Sequence, residues 1–183
     1  WPGVTVEKKE GRLKSDKDIT ITDLPGIYSL SPYTLEEVVA RDYLIDDSPD
    51  GIINIVDGTN LQRNLYLSTQ LMELGIPMVL AVNMSDVMKK EGYELDTKVL
   101  SEKMNMPVVE ISAANGQGIE NVISAMKEAV VKKQKPTTFI YSDEVEGAIK
   151  EISNFVDSDK KRWLAVKLFE KDDLVTQQLS LSE

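Results

Sequence analysis

The segment Gly51-Ile-Ile-Asn-Ile-Val-Asp57 restricts the fold of this chain more than any other. Its apolar run is too short for a helix of ordinary length and rich in β-branched residues, so it reads as a buried strand of a parallel sheet. Two similar runs follow, Ile76 to Asn83 and Val108 to Ile111. Helical spacing separates them: Leu61 to Leu74, ended by Gly75 in a C-cap position, and a shorter stretch from Asp96 to Met104. Gly118 to Lys133 predicts another helix after a glycine-rich turn. Strand and helix in alternation point to a doubly wound α/β sheet.

The flanks differ. From Val4 to Asp23 apolar and polar residues alternate around Gly11, with Val4, Val6 and Leu13 in one segment and Ile19 and Ile21 in the next. This pattern predicts two antiparallel strands. Asp23-Leu-Pro-Gly26 breaks the second, and Leu35 to Ile45 has helical spacing. After Lys135-Pro136 the character changes: Glu144 to Val156 and Lys160 to Phe169 read as helices with no strand between them. The expected organisation is one α/β domain over residues 1–136 and a small helical segment over 141–183, joined at 136–141. Trp163 lies in an amphipathic stretch expected to pack that helical segment rather than meet lipid.

Composition removes several function classes. A formal charge of −10 argues against sequence-independent binding to nucleic acid, which needs clustered Lys and Arg. It also disfavours a polybasic membrane patch. With no cysteine and no histidine, a disulfide framework and the usual zinc sites are excluded. No apolar run approaches the ~20 residues that span a bilayer, and no basic-then-apolar signal opens the chain. The expectation is a soluble piece, with the cytosol as its default location.

Chemistry concentrates in three loops that follow predicted strands, where ligands of open α/β sheets bind. Each is weak alone: Asp23-x-x-Gly26 is an ordinary turn, Asn83-x-x-Asp86 an ordinary helix-capping loop, and Ser112-Ala113-Ala114 an ordinary strand exit. In this order, each after a strand, they match the pattern that binds guanine nucleotides. Asp23 would hold Mg2+, usually through a water, because a hard cation takes oxygen ligands. The Gly26 N–H would meet the γ-phosphate, where a side chain would obstruct the approach. Asp86 would accept hydrogen bonds from N1–H and the 2-amino group of guanine. Adenine lacks that pair and would leave the carboxylate unpaired. Asn83 would tie neighbouring loops together, and the backbone from Ser112 through Ala113 to Ala114 would contact the guanine oxygen.

Longer stretches make the likeness specific. Trp1-Pro-Gly-Val-Thr-Val-Glu7, Asp23-Leu-Pro-Gly-Ile-Tyr-Ser-Leu-Ser-Pro-Tyr33, Glu36-Glu37 with Ala40-Arg-Asp-Tyr-Leu44, and Asn83-Met-Ser-Asp86 together resemble the ferrous iron transport protein B family. The likeness runs to about Lys133, and the tail from Tyr141 resembles the start of that family's helical domain. It implies a Ras-like, mostly parallel sheet and a GTP-binding, GTP-hydrolysing module on the cytoplasmic side of a bacterial inner membrane. Its partners would be guanine nucleotide and the transmembrane domain of the same parent protein, with a homo-oligomer left open. Its cofactor would be Mg2+, with K+ admitted as a further cation. By the same resemblance Thr5 is the switch I threonine, sensing Mg2+ and the γ-phosphate. Met84, where many GTPases carry lysine, keeps an apolar stem to lie over the base and lacks the ammonium.

Two departures stand out. Gly26 is followed by Ile27 rather than a glutamine, so hydrolysis would rest on backbone groups, a cation or another side chain. Glu36 and Glu37 are weak catalytic candidates, read first as a solvated helix start whose acids favour the dipole. Slow intrinsic turnover is the expectation. Second, no Gly-x-x-x-x-Gly-Lys-Ser/Thr occurs in the sequence, although that loop cradles the β- and γ-phosphates. It, its preceding strand and its following helix are expected upstream, and more helical domain is expected downstream. That first strand sits mid-sheet in this fold, so its absence should leave edges unpaired on its neighbours. The competing reading is a nucleotide-binding-impaired fragment that acts only as an interaction module.

Overall fold

The computed structural model describes residues 9–31 and 34–179, which fall into two compact units divided between Pro49 and Asp50. In the first, β1 (Lys9–Leu13) and β2 (Asp16–Asp23) form the expected antiparallel pair, with Glu10 opposite Thr22 and Gly11 opposite Ile21. Val4 and Val6 lie outside the described residues. Helix α1 (Leu35–Asp42) opens with a reciprocal cap. Thr34 Oγ1 accepts the Glu37 N–H, and Glu37 Oε2 accepts the Thr34 N–H, each at 3.3 Å. Its pitch then widens into a π-helical turn, Tyr43–Asp47, which Ser48 ends in the left-handed region at φ 44°. The Tyr43 hydroxyl donates to Thr22 Oγ1 at 2.9 Å, fastening that turn to β2.

The second unit is built on a parallel sheet of β3 (Ile52–Asp57), β4 (Met78–Asn83) and β5 (Val108–Glu110), in that spatial order. Between and after them come α2 (Leu61–Met72), α3 (Ser85–Lys90), α4 (Thr97–Met104) and α5 (Ile119–Val131). Val79, Ala81 and Ile111 pack with Val122 of α5 on one face. On the other, Asn54 of β3 donates from Nδ2 to Ser68 Oγ of α2 at 2.7 Å, both residues being buried. Helices on both faces make the sheet doubly wound, as the alternation predicts.

Central β4 is apolar and buried from Met78 to Val82, as expected of a strand covered on both faces. The expectation fails for β3, which alternates between buried and exposed residues. Ile53 and Ile55 share a face with Val79 and Ala81 by register, yet they are 38% and 62% exposed. The reason is position: among the described residues β3 pairs with β4 alone and is an edge strand, while β1 and β2 form a separate sheet.

Three helices follow: α6 (Asp143–Ser153), α7 (Lys161–Phe169) and α8 (Asp173–Gln178), the last not anticipated from sequence and capped by Asp172. The expected amphipathic character of α7 is not found. Residues 163 to 167 are all buried, Lys167 included, whose ammonium bonds Glu170 at 2.7 Å. Trp163 is in the core of this segment, as expected. The connecting stretch is strapped to the sheet unit, with the Thr137 N–H donating to the Met104 carbonyl and Asn105 Nδ2 to the Lys135 carbonyl, both at 2.9 Å. Among the described residues no helix is long and apolar enough to cross a membrane.

Candidate nucleotide-binding site

In the second unit, the ends of β4 and β5 bring Asn83, Met84, Asp86, Ser112, Ala113 and Ala114 together. The apolar strand carries Asn83 to the sheet's C-terminal rim, where its Oδ1 accepts the Ala113 N–H at 3.0 Å. Met84 turns the chain in the left-handed region, at φ 63° and ψ 30°, and this reversal starts α3 at once. The Val87 and Met88 N–H groups both donate to the Met84 carbonyl at 3.0 Å. Ser85 is buried and donates its N–H to the Ile111 carbonyl at 3.0 Å, locking the two loops at a second point. The Met84 side chain stays outside, 42% exposed, with its apolar stem free to lie against a planar ligand.

Asp86 occupies the first turn of α3, half-buried, where a carboxylate meets the helix dipole favourably. A hydrogen bond from the Ser112 side chain is the main reason its carboxyl sits below the ordinary range, with Lys90 adding a smaller pull. Ser112 is itself fixed: it exchanges two backbone bonds with Gln117 at 3.1 Å and accepts from Asn115 Nδ2 at 3.0 Å. Ala113 and Ala114, in a short 3-10 turn, remain exposed beside Asn83. The turn closes through Gly118, at φ 80°, where an added Cβ would come 2.5 Å from the Glu110 carbonyl oxygen. Only glycine meets both conditions. Sequence reasoning singled out Asn83, Met84, Asp86 and Ser112–Ala114 but not Ser85, Asn115 or Gln117: Ser85 and Gln117 act through backbone bonds that no residue type announces, and Asn115 through an amide donor to Ser112 Oγ.

The first unit holds Asp23 and Gly26. Asp23 ends β2 opposite Lys9 and is exposed; Gly26 is exposed in the loop beyond. A Cβ added to Gly26 meets nothing within 4 Å among the described residues, so packing among them does not require glycine there. Ile27 is half-buried. The expected solvated helix start holds only in part: Glu36 is half-buried, but Glu37 is 8% exposed, its carboxylate committed to the α1 cap. Thr5 lies outside the described residues. Among those described, no three Asp or Glu side chains converge on a metal position. A single carboxylate at Asp23 suits Mg2+, which keeps several waters and takes the rest of its shell from phosphates.

A family model described as ferrous iron transport protein B matches residues 1–126, and one described as the FeoB cytosolic helical domain matches residues 141–183. The Fe(2+) transporter FeoB of Escherichia coli K12 is 36% identical over 94% of this chain and 23% of its own length. An Fe(2+) transport protein A/Fe(2+) transporter FeoB fusion protein of Porphyromonas gingivalis is 39% identical over 94% of the chain and 22% of its own. The chain thus spans about a quarter of the curated relatives it matches. Among solved structures, NFeoB from S. thermophilus bound to GDP.AlF4- and K+ is 46% identical with a TM-score of 0.92, covering all of this chain and 73% of its own. The mGMPPNP-bound form gives 46% and 0.90, covering all of this chain and 71% of its own. Such closeness in sequence and backbone is shared descent as well as shared fold, and the chain belongs to the ferrous iron transport protein B family.

Proposed function

We propose that this chain is the larger part of the G-protein module of a bacterial ferrous iron transporter, with the beginning of its helical domain. The module covers residues 1–136 and the helical part 141–183. The parent protein binds GTP and hydrolyses it, and nucleotide state is passed through the helical segment to the membrane part that moves Fe2+. The observation that carries this reading is the Asn83–Asp86–Ser112 constellation, held in place by the protein's own hydrogen bonds. Asp86 accepts from N1–H and the 2-amino group of guanine, the Ala113–Ala114 backbone meets the guanine oxygen, and Met84 covers the ring. Since Asp86 is ionised at neutral pH, a base without two adjacent donors leaves it unpaired and is rejected.

On the phosphate side, Thr5 and Asp23 would hold Mg2+, which when bound would neutralise charge on the phosphates. The Gly26 N–H would meet the γ-phosphate. K+, present in a solved relative, is a second candidate cation for the parent. Hydrolysis consumes one water and releases GDP and inorganic phosphate. Glu37 is committed to its cap, so Glu36, backbone groups or a cation remain to orient that water. The parent would sit at the cytoplasmic face of the inner membrane, and the net charge of −10 speaks against nucleic acid as a partner.

The test is a titration with fluorescent GDP and Mg2+, on this chain and on a form extended upstream through a phosphate-binding loop. Binding by the extended form alone is the expected result. Tight binding by the chain itself would mean a substitute phosphate cradle exists. Binding by neither would remove the GTPase reading and leave an interaction module in its place.

A further inference from the structure

Within the second unit, one cation ties together elements far apart in sequence. Arg162 of α7 donates from Nε to Glu73 Oε2 at 2.7 Å, just past the end of α2. It donates from Nη1 and Nη2 to the two carboxylate oxygens of Glu146 in α6, at 2.8 and 3.0 Å. Nη2 also reaches the Phe139 carbonyl, in the connecting stretch, at 2.8 Å. One planar guanidinium thus holds three segments to its own helix, which its fixed fork allows and a lysine could not reproduce. Glu146 also accepts the Tyr141 N–H at 3.0 Å, and Arg162 holds its carboxyl down to about 2.

The Glu73 end is unusual. Its side chain is 4% exposed, with Oε2 committed to Arg162. Burial pushes its carboxyl above the ordinary range, opposed by Arg162 and by a backbone hydrogen bond from Phe139. Arg162 is its ion-pair partner.

The other end of α2 abuts the base loop. Gly58 opens the short turn before α2, and an added Cβ there would lie 2.2 Å from Met88 Sδ and 2.9 Å from the Asn83 carbonyl oxygen. Midway, Ser68 is bolted to Asn54 of β3. Over its 12 residues α2 spans about 18 Å. It runs as a braced rod from the base-reading loop to the guanidinium of α7.

We propose that Arg162 is a positioning residue, a clasp through which α2 transmits order between the guanine-reading loop and the helical segment. This rests on the functional reading above, and it adds a route and a residue: the base-side helix α2, by way of Glu73. Tightening the loop around a base stiffens α2 at Gly58, and the clasp carries that stiffening into α6 and α7 without a change of fold.

Amide hydrogen exchange tests this in the parent protein and in this chain. Arg162→Gln should speed exchange in α6 and α7, and it should also speed exchange at Ser85–Met88, roughly 20 Å away along a helix of this rise. Glu73→Ala is the second variant. It leaves Arg162 paired with Glu146 and Phe139, so folding is preserved, and it should reproduce the distant effect while sparing the Tyr141–Glu146 region. In the parent, GDP should slow exchange across residues 143–169 by about 5- to 150-fold, the usual size of such coupling. Both variants should abolish that response while GDP still binds. A response that survives in Glu73→Ala overturns the clasp and leaves the GTPase reading intact. A parent that binds no guanine nucleotide overturns both. Variant effects confined to α6 and α7 make Arg162 a local brace and end the proposal.

Discussion

The two groups of residues proposed to meet the nucleotide, one in each unit, are built in opposite ways. On the base side, Asn83, Ser85, Asp86 and Ser112 are joined by hydrogen bonds internal to the protein, and the left-handed turn at Met84 is already formed. On the phosphate side, Asp23 and Gly26 are exposed at the end of a two-stranded hairpin, and nothing packs within 4 Å of a Cβ at Gly26. The first group is preorganised, so under the proposed reading its selectivity for a base would be a property of the fold. The second group has no such bracing, and under the proposed reading it would take its geometry from the ligand, as suits a sensor that must differ between GTP and GDP.

Removing the base carboxylate should break this contrast most severely. Asp86→Ala in the parent should weaken GDP binding by about 10²- to 10³-fold, since two charge-assisted hydrogen bonds are lost. Calorimetric titration with GDP and ADP checks it; an unchanged preference for guanine would place the reader elsewhere.

Two glycines sharpen the comparison. Gly118→Ala forces a side chain into a left-handed position against a backbone carbonyl, and should destabilise the fold by about 3 kcal/mol. Gly26→Ala has open space and should leave unfolding within about 0.5 kcal/mol of the parent value. It should nonetheless remove the preference for a γ-phosphate. Urea unfolding and paired GDP and GTP-analogue titrations separate the two; equal stability costs would erase the distinction drawn here.

The smallest effect concerns acidity. Ser112 lowers the Asp86 carboxyl, so the proton is bound less readily in the folded state. Whatever stability Asp86 contributes is therefore present above its unfolded value and lost only as pH falls through the lower, folded one. Guanine binding should follow the same acid limb. Ser112→Ala should move that limb upward in pH and weaken GDP binding by about tenfold at neutral pH, the worth of one hydrogen bond to a charged group. A limb that does not move would show that the hydroxyl has no hold on Asp86.

Much of the sheet unit was legible because burial leaves a pattern in residue types. The unbroken apolar run of β4 predicts a strand covered on both faces, and it is one. The identical reading failed for β3, since an edge position depends on which strands are neighbours, not on the strand's own sequence. Helix α8 and the π-helical turn at Tyr43 were missed because each is fixed by a few local bonds, with too few residues to establish a period. Glu37 reads like its neighbour Glu36, and only tertiary packing makes one of them buried. The Arg162–Glu73 pair spans 89 positions, and no spacing rule links residues so far apart.

Among the described residues β3 is paired on one side only, which has a practical consequence for anyone handling this chain in a tube. An edge strand with two protruding isoleucines is a template for stray pairing, so colloidal stability should decline as concentration rises. Ile55→Lys, placing a charge on the more exposed of the two, should raise the usable protein concentration without altering Asp23, Gly26 or Asp86.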